Sequence, residues 1–199
     1  MEIHLLRRDR PASIRTLNDL DFIAEGLDCA PATLAGDFFF RHVHPFDPPG
    51  KTLLQFIDAD TGTRIDLFRA KGAIMSRNIC ADLPSGPVQM VSLEDLVART
   101  AKLVLDLAEG IPVPSKRADD YLRLVELVDH SHVEAVWMDH RKPKHPLTFR
   151  ETNAVLLPLI SSRPDLLINP EYSEDIAQVC SRCMPTPAFR LGPGTTPLP

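Results

Sequence analysis

The hydrophobic period of this chain changes once, at Ser92, and that change limits its fold more than any other feature. Before Ser92, polar and apolar residues alternate, as in Asn18-Asp-Leu-Asp-Phe22 and Arg64-Ile-Asp-Leu-Phe68. Successive side chains of a strand point to opposite faces, so a period of two marks half-buried strands. After Ser92 the apolar residues fall three and four apart, at Leu93, Leu96, Val97, Thr100, Val104 and Leu107. That spacing draws an apolar stripe along a helix. Strands in one half and helices in the other predict an α+β protein, with a small mixed β-sheet followed by a helical C-terminal region. The expected organisation is a sheet region over residues 1–91, a helical region over 92–184 and a proline-rich tail over 185–199. A chain of 199 residues is long enough to bury a real core in one or two domains.

Taken in order, residues 2–9 read as the tail end of a helix that Pro11 closes. A strand from about Ser13 to Ala24 follows, with Leu20 and Phe22 directed into a core. Asp37–His44 reads as a strand, then Lys51–Asp58 and Thr63–Ala70. Asp58-Ala-Asp-Thr-Gly62 between the last two is a hairpin turn. It lacks the later glutamate that a calcium loop needs. Ile74–Ala81 and Val88–Val91 add candidate strands. Ser92 caps the first helix, Asp95, Arg99, Lys102, Asp106 and Glu109 fall on its polar side, and Gly110 stops it. Further helices are expected over Ser115–Asp129, over residues 131–140, from the capping box Thr148-Phe-Arg-Glu151 onward, and over Ser173–Cys183. Pro158 is expected to kink or end the helix that Thr148-Phe-Arg-Glu151 opens.

Charge and cysteine content narrow the function classes. The net charge of −5 gives no global attraction to nucleic acid. A local basic group, Arg7, Arg8, Arg10 and Arg15, reads as a solvated helix end. There is no apolar run long enough for a membrane span, and the N-terminus lacks the organisation of a signal peptide. Four cysteines in such a chain predict reduced thiols and a cytoplasmic setting.

The chemistry concentrates in the acids. Asp19 and Asp21 are two apart on one strand and therefore share a face. Paired carboxylates repel unless a cation lies between them. If the strand of Asp66 lies alongside, Asp66 completes a cluster of three hard oxygen donors suited to Mg²⁺. Two-metal nucleotidyl transfer needs such a cage on rigid strands.

These residues resemble the nucleotidyltransferase superfamily. The resemblance rests on Asn18-Asp-Leu-Asp-Phe-Ile, then Arg64-Ile-Asp-Leu-Phe, then the helix opening Ser92-Leu-Glu-Asp-Leu-Val-Ala-Arg. It covers residues 1 to about 128, and the nearest branch is the small bacterial proteins related to AbiEii toxins. It implies a sheet of nucleotidyltransferase type, with Asp19, Asp21 and Asp66 as the catalytic acids and as ligands for Mg²⁺ or Mn²⁺. It further implies a nucleoside triphosphate substrate, with Arg99 or Lys102 as the basic residue toward the triphosphate; Arg15 is a further candidate. The acceptor is an unassigned hydroxyl on RNA, protein or a small molecule, and an antitoxin-like protein is an implied partner. One departure stands out. The family carries a Gly-Gly or Gly-Ser pair upstream of the paired acids, and no such pair precedes Asp19. Either the true start lies upstream, or this chain has lost that phosphate cradle and is an inactive, binding member of the fold.

Cys180-Ser-Arg-Cys183 has the spacing of half a zinc site. No second pair follows it, so it reads as two unlinked thiols rather than a zinc centre. Cys29, Cys80, His130, His132, His140 or His145 could complete such a site only through folding, which would make the chain a zinc-stabilised interaction protein. His42 and His44 read as sheet histidines, and Trp137 as a core residue.

Overall fold

The computed structural model describes residues 19–27, 37–46, 50–83, 86–169 and 189–190. Its strands are β1 Asp19–Ala24, β2 Phe38–Phe46, β3 Gly50–Asp58, β4 Arg64–Arg69, β5 Ile79–Leu83, β6 Gly86–Met90, β7 Val113–Pro114, β8 Leu167–Ile168 and β9 Phe189–Arg190. Its α-helices are α1 Leu93–Val104, α2 Ser115–Val125, α3 His130–His140 and α4 Phe149–Ser162. The fold class is α+β. The described chain divides into two compact units between Ala70 and Lys71. The β5–β6 hairpin therefore goes with the helices, although the change of hydrophobic period comes only at Ser92.

The first unit is a five-stranded sheet in the order β1-β4-β3-β2-β9. β1 and β4 are parallel, and the other neighbours are antiparallel. Between β3 and β4 the chain reverses at Asp58–Gly62, as its turn residues predict. The Asp58 carboxylate accepts the Asp60 and Thr61 amides at 2.9 and 2.8 Å, and Gly62 takes φ +70°. Leu54 and Phe56 of β3 and Ile65 and Leu67 of β4 share one face and pack with Leu27 and Phe38. The register sets Leu20 and Phe22 beside Ile65 and Leu67. Phe22 is nevertheless 50% exposed, contrary to its expected burial. β1 stands at one end of the strand order, so packing reaches it from fewer sides.

The second unit is built on four helices with explicit caps. Ser92 caps α1 by accepting the Asp95 amide at 3.1 Å. A 3₁₀ segment, Leu105–Glu109, continues α1 to Gly110 at φ +73°. α2 ends at Val125, earlier than expected, because Asp129 instead caps α3 by accepting the Ser131 amide at 2.8 Å. Both halves of the Thr148/Glu151 capping box are present at the start of α4. Pro158 does not end α4, which runs on to Ser162. The expected strand Ile74–Ala81 is instead a 3₁₀ turn, Ile74–Arg77, followed by β5. There the Ser76 hydroxyl donates to the Ala73 carbonyl at 2.7 Å, a local bond that competes with strand pairing.

The core of this unit gathers Val97, Ala101 and Val104 of α1, Tyr121 and Leu124 of α2, Val133 and Trp137 of α3, and Phe149 and Leu156 of α4. Trp137 is fully buried, as its position in the helical pattern predicts, and donates to the Pro146 carbonyl at 3.0 Å. The expected helix over Ser173–Cys183 lies outside the described residues. Among the described residues, no helix is long and apolar enough to cross a membrane.

Candidate functional site

Alternation and register together assemble one face of the sheet. Asp19 and Asp21 project from β1 on the side opposite the apolar cluster. Parallel pairing sets Asp19 beside Arg64 and Asp21 beside Asp66. Antiparallel pairing then sets Gln55 of β3 on the other flank of Asp66. One carboxylate oxygen from each of Asp19, Asp21 and Asp66 lies within 4.8 Å of the others. The three acids predicted from sequence therefore converge. Asp21 is exposed, Asp19 half-buried, and Asp66 only 7% exposed.

Two neighbours that sequence reading did not single out hold the acids in place. Gln55 Nε2 donates to Asp66 Oδ1 at 2.8 Å, which fixes the orientation of that carboxylate. Arg64 donates to Asp19 Oδ2 and holds its Nε 3.5 Å from Asp66 Oδ2. At that separation the Nε–H makes no hydrogen bond, and this buried nitrogen has no other partner. Its signal in the sequence is its place two residues before Asp66, which puts both on one face. The donors are oxygens alone, the set that a hard divalent cation takes.

Arg99 and Lys102 belong to α1, in the helical unit, and Arg15 lies outside the described residues. Lys102 has its pKa pushed down to about 8, first by burial and then by the charges of Lys71, Lys142 and Arg99.

Asp95, expected on the polar side of α1, is instead fully buried. It receives Arg77 through two nitrogens at 2.9 and 2.6 Å, His140 Nε2 at 2.8 Å and the Ser92 hydroxyl at 2.7 Å. Burial drives the Asp95 pKa up, but the bonds from Arg77, His140 and Ser92 outweigh it and hold the carboxyl below its ordinary range. This hub ties β5's approach, α1 and α3 together and leaves no oxygen turned to solvent.

A second group, Asp106, Glu109 and His145, also brings its ligand atoms within 4.8 Å. The two acids are three apart on a 3₁₀ segment, where such residues eclipse each other. Here Lys142 pairs with Asp106 and Lys144 with Glu109, so the two carboxylates are already matched by two ammonium groups. Burial, then the Lys142 charge, lowers the His145 pKa. Cys180, Cys183 and Cys29 lie outside the described residues, and Cys80 is an exposed free thiol.

No protein-family model matches this chain, and no curated protein matches it either.

Proposed function

We propose that the chain is a nucleotidyltransferase-like protein that binds a divalent metal–nucleoside triphosphate at Asp19, Asp21 and Asp66. The activity proposed is transfer of the nucleotidyl group to a hydroxyl on RNA, protein or a small molecule, in the cytoplasm. The observation that carries this reading is the convergence of the three carboxylates on one sheet face. When bound, Mg²⁺ or Mn²⁺ would acidify the attacking hydroxyl and neutralise the triphosphate. The chain's own part is to hold the oxygens still. β1 and β4 fix the spacing of the acids, and Gln55 fixes the rotation of Asp66. The resemblance assigns triphosphate contact to Arg99 or Lys102.

One observation favours a second reading, an inactive member of the same fold that binds nucleotide or an antitoxin-like partner. Arg64 already pairs with two of the three acids. Transfer depends on sub-ångström positioning of the acids, and this pairing opposes a metal among them. The Cys180 and Cys183 pair on which the zinc-stabilised alternative rests lies outside the described residues.

The test is label incorporation from each α-labelled nucleoside triphosphate with Mg²⁺ or Mn²⁺, beside Mn²⁺ binding followed by electron paramagnetic resonance. Mn²⁺ binding that Asp19→Asn and Asp21→Asn abolish is expected in either reading; label transfer lost along with it supports the enzyme, and binding without transfer supports the inactive member. Mn²⁺ binding unaffected by either substitution would end the metal-site reading.

A further inference from the structure

One imidazole of the helical unit is unequally served at its two nitrogens. His145 stands in the loop between α3 and α4 and is only 6% exposed. Its Nδ1 accepts the Lys142 amide at 3.2 Å, so in the neutral ring the proton sits on Nε2. That buried Nε2 has no hydrogen-bond partner. Two carboxylates stand close by. A ring nitrogen of His145 and one oxygen each of Asp106 and Glu109 all lie within 4.8 Å. The acids do not serve the ring, because Lys142 pairs with Asp106 and Lys144 with Glu109. Both lysines come from the same loop as His145, and their side chains are 34% and 56% exposed. From α3, the ring of Trp137 stacks on the imidazole, 6.3 Å away and 12° from parallel.

We propose that His145 is a proton-driven switch: on protonation the imidazolium takes Asp106 and Glu109 as its partners, and Lys142 and Lys144 are released to solvent. A second proton can enter the ring only at Nδ1, where it meets the Lys142 N–H head-on. The present arrangement cannot survive that. The imidazolium then carries two donors, and the two carboxylates are the acceptors within its reach. Exposed lysine pairs are weakly held, so the exchange costs little. Burial opposes the charged ring most, followed by the charge of Lys142; Asp106 and Glu109 favour it, and Lys144 opposes it. The balance lies below the ordinary value of 6.5, which puts the switch on the acid side of neutrality. Arg141 donates to the Pro143, His145 and Pro146 carbonyls and so holds the loop backbone through the exchange. Nothing in this switch depends on the acids of the sheet.

The full chain is titrated from pH 8 to pH 5 with far-ultraviolet circular dichroism as the control for folding. Three signals are followed: the ¹⁵N shifts of the histidine rings, the emission of Trp137 and the exchange protection of the Lys142 amide, corrected for its intrinsic pH dependence. The Nε2–H tautomer of His145 is expected at pH 8. Emission is expected to fall as the stacked ring becomes charged, with a midpoint below 6.5. Lys142 protection is expected to fall about tenfold at the same midpoint, the worth of one hydrogen bond. His145→Asn keeps an acceptor for the Lys142 amide but takes no proton, and it is expected to abolish both steps. Asp106→Asn combined with Glu109→Gln removes the acids that receive the imidazolium, and it is expected to lower the His145 midpoint. An Nδ1–H tautomer at pH 8 would overturn the inference, as would Lys142 protection that stays constant while His145 titrates. An emission step that persists in His145→Asn would also refute it, and so would a ring that stays neutral until the dichroism is lost. If a variant does not fold, the wild-type ring shifts and Lys142 protection decide alone.

Discussion

Asp95 is the polar residue of the helical unit with least tolerance for change. Its carboxylate has no exposure and four hydrogen bonds. Asp95→Ala would remove the acceptor shared by Arg77, His140 and Ser92 and leave Arg77 only its pair with Asp139, and a loss of about 3 kcal/mol in denaturant unfolding is expected. The acid dependence follows from the lowered pKa. The unfolded carboxyl takes a proton near 3.8, and the folded one only at lower pH. Its stabilisation is therefore complete above that value and drains away as pH falls below it. Asp95→Asn should flatten stability in that acid window, measured as urea midpoints from pH 5 down to pH 2. Nearby, Gly72 takes φ +55°, and a Cβ there would overlap the Asp139 carboxyl that accepts the Ala73 amide. The acids of the sheet were readable from alternation alone, because period two dictates a shared face. Asp95 was not. A helical period describes one helix, and the partners that bury Asp95 come from Arg77 and His140, both outside that helix.

At the scale of elements, the caps were legible and the exceptions were not. Thr148→Ala should cost about 1 kcal/mol in thermal unfolding, since it removes one half of a capping box. Pro158 sits inside α4 at an exposed position, without ending the helix. Proline there still forfeits a backbone hydrogen bond, so Pro158→Ala should stabilise by roughly 1–3 kcal/mol. A sequence can show that proline opposes a helix, but not that packing of Leu156 and Ile160 on either side overrides it. On α1, Lys102 gives a second pH signature. The unfolded chain keeps this proton up to about 10.5, and the folded chain releases it near 8. Below 8 both states are charged and the penalty is whole; stability should rise as pH climbs from 8 to 10.5. Lys102→Met is expected to abolish that rise and to raise the melting temperature at neutral pH.

At the scale of the whole molecule, the described residues of the two units differ in how many apolar side chains they bury. Among the described residues, the sheet unit rests on a cluster around Leu54 and Phe56, while the helical unit draws on all four helices. The fragment 71–171 should fold alone, with the fluorescence of Trp137, the chain's single tryptophan, reporting a cooperative melt. A fragment with exposed tryptophan emission and no transition would refute this. The placing of the hairpin β5–β6 with the helices could not be read from hydrophobic period, because period reports local conformation and not which elements pack together. The outermost place of β1 in the sheet has a consequence for the acids it carries. Two of the three reside on a strand whose described ladder is to β4 alone, so opening of that strand and dispersal of the triad are one event. A cation held there acts as a clasp, and its occupancy should be visible as slowed deuterium uptake along Asp19–Ala24.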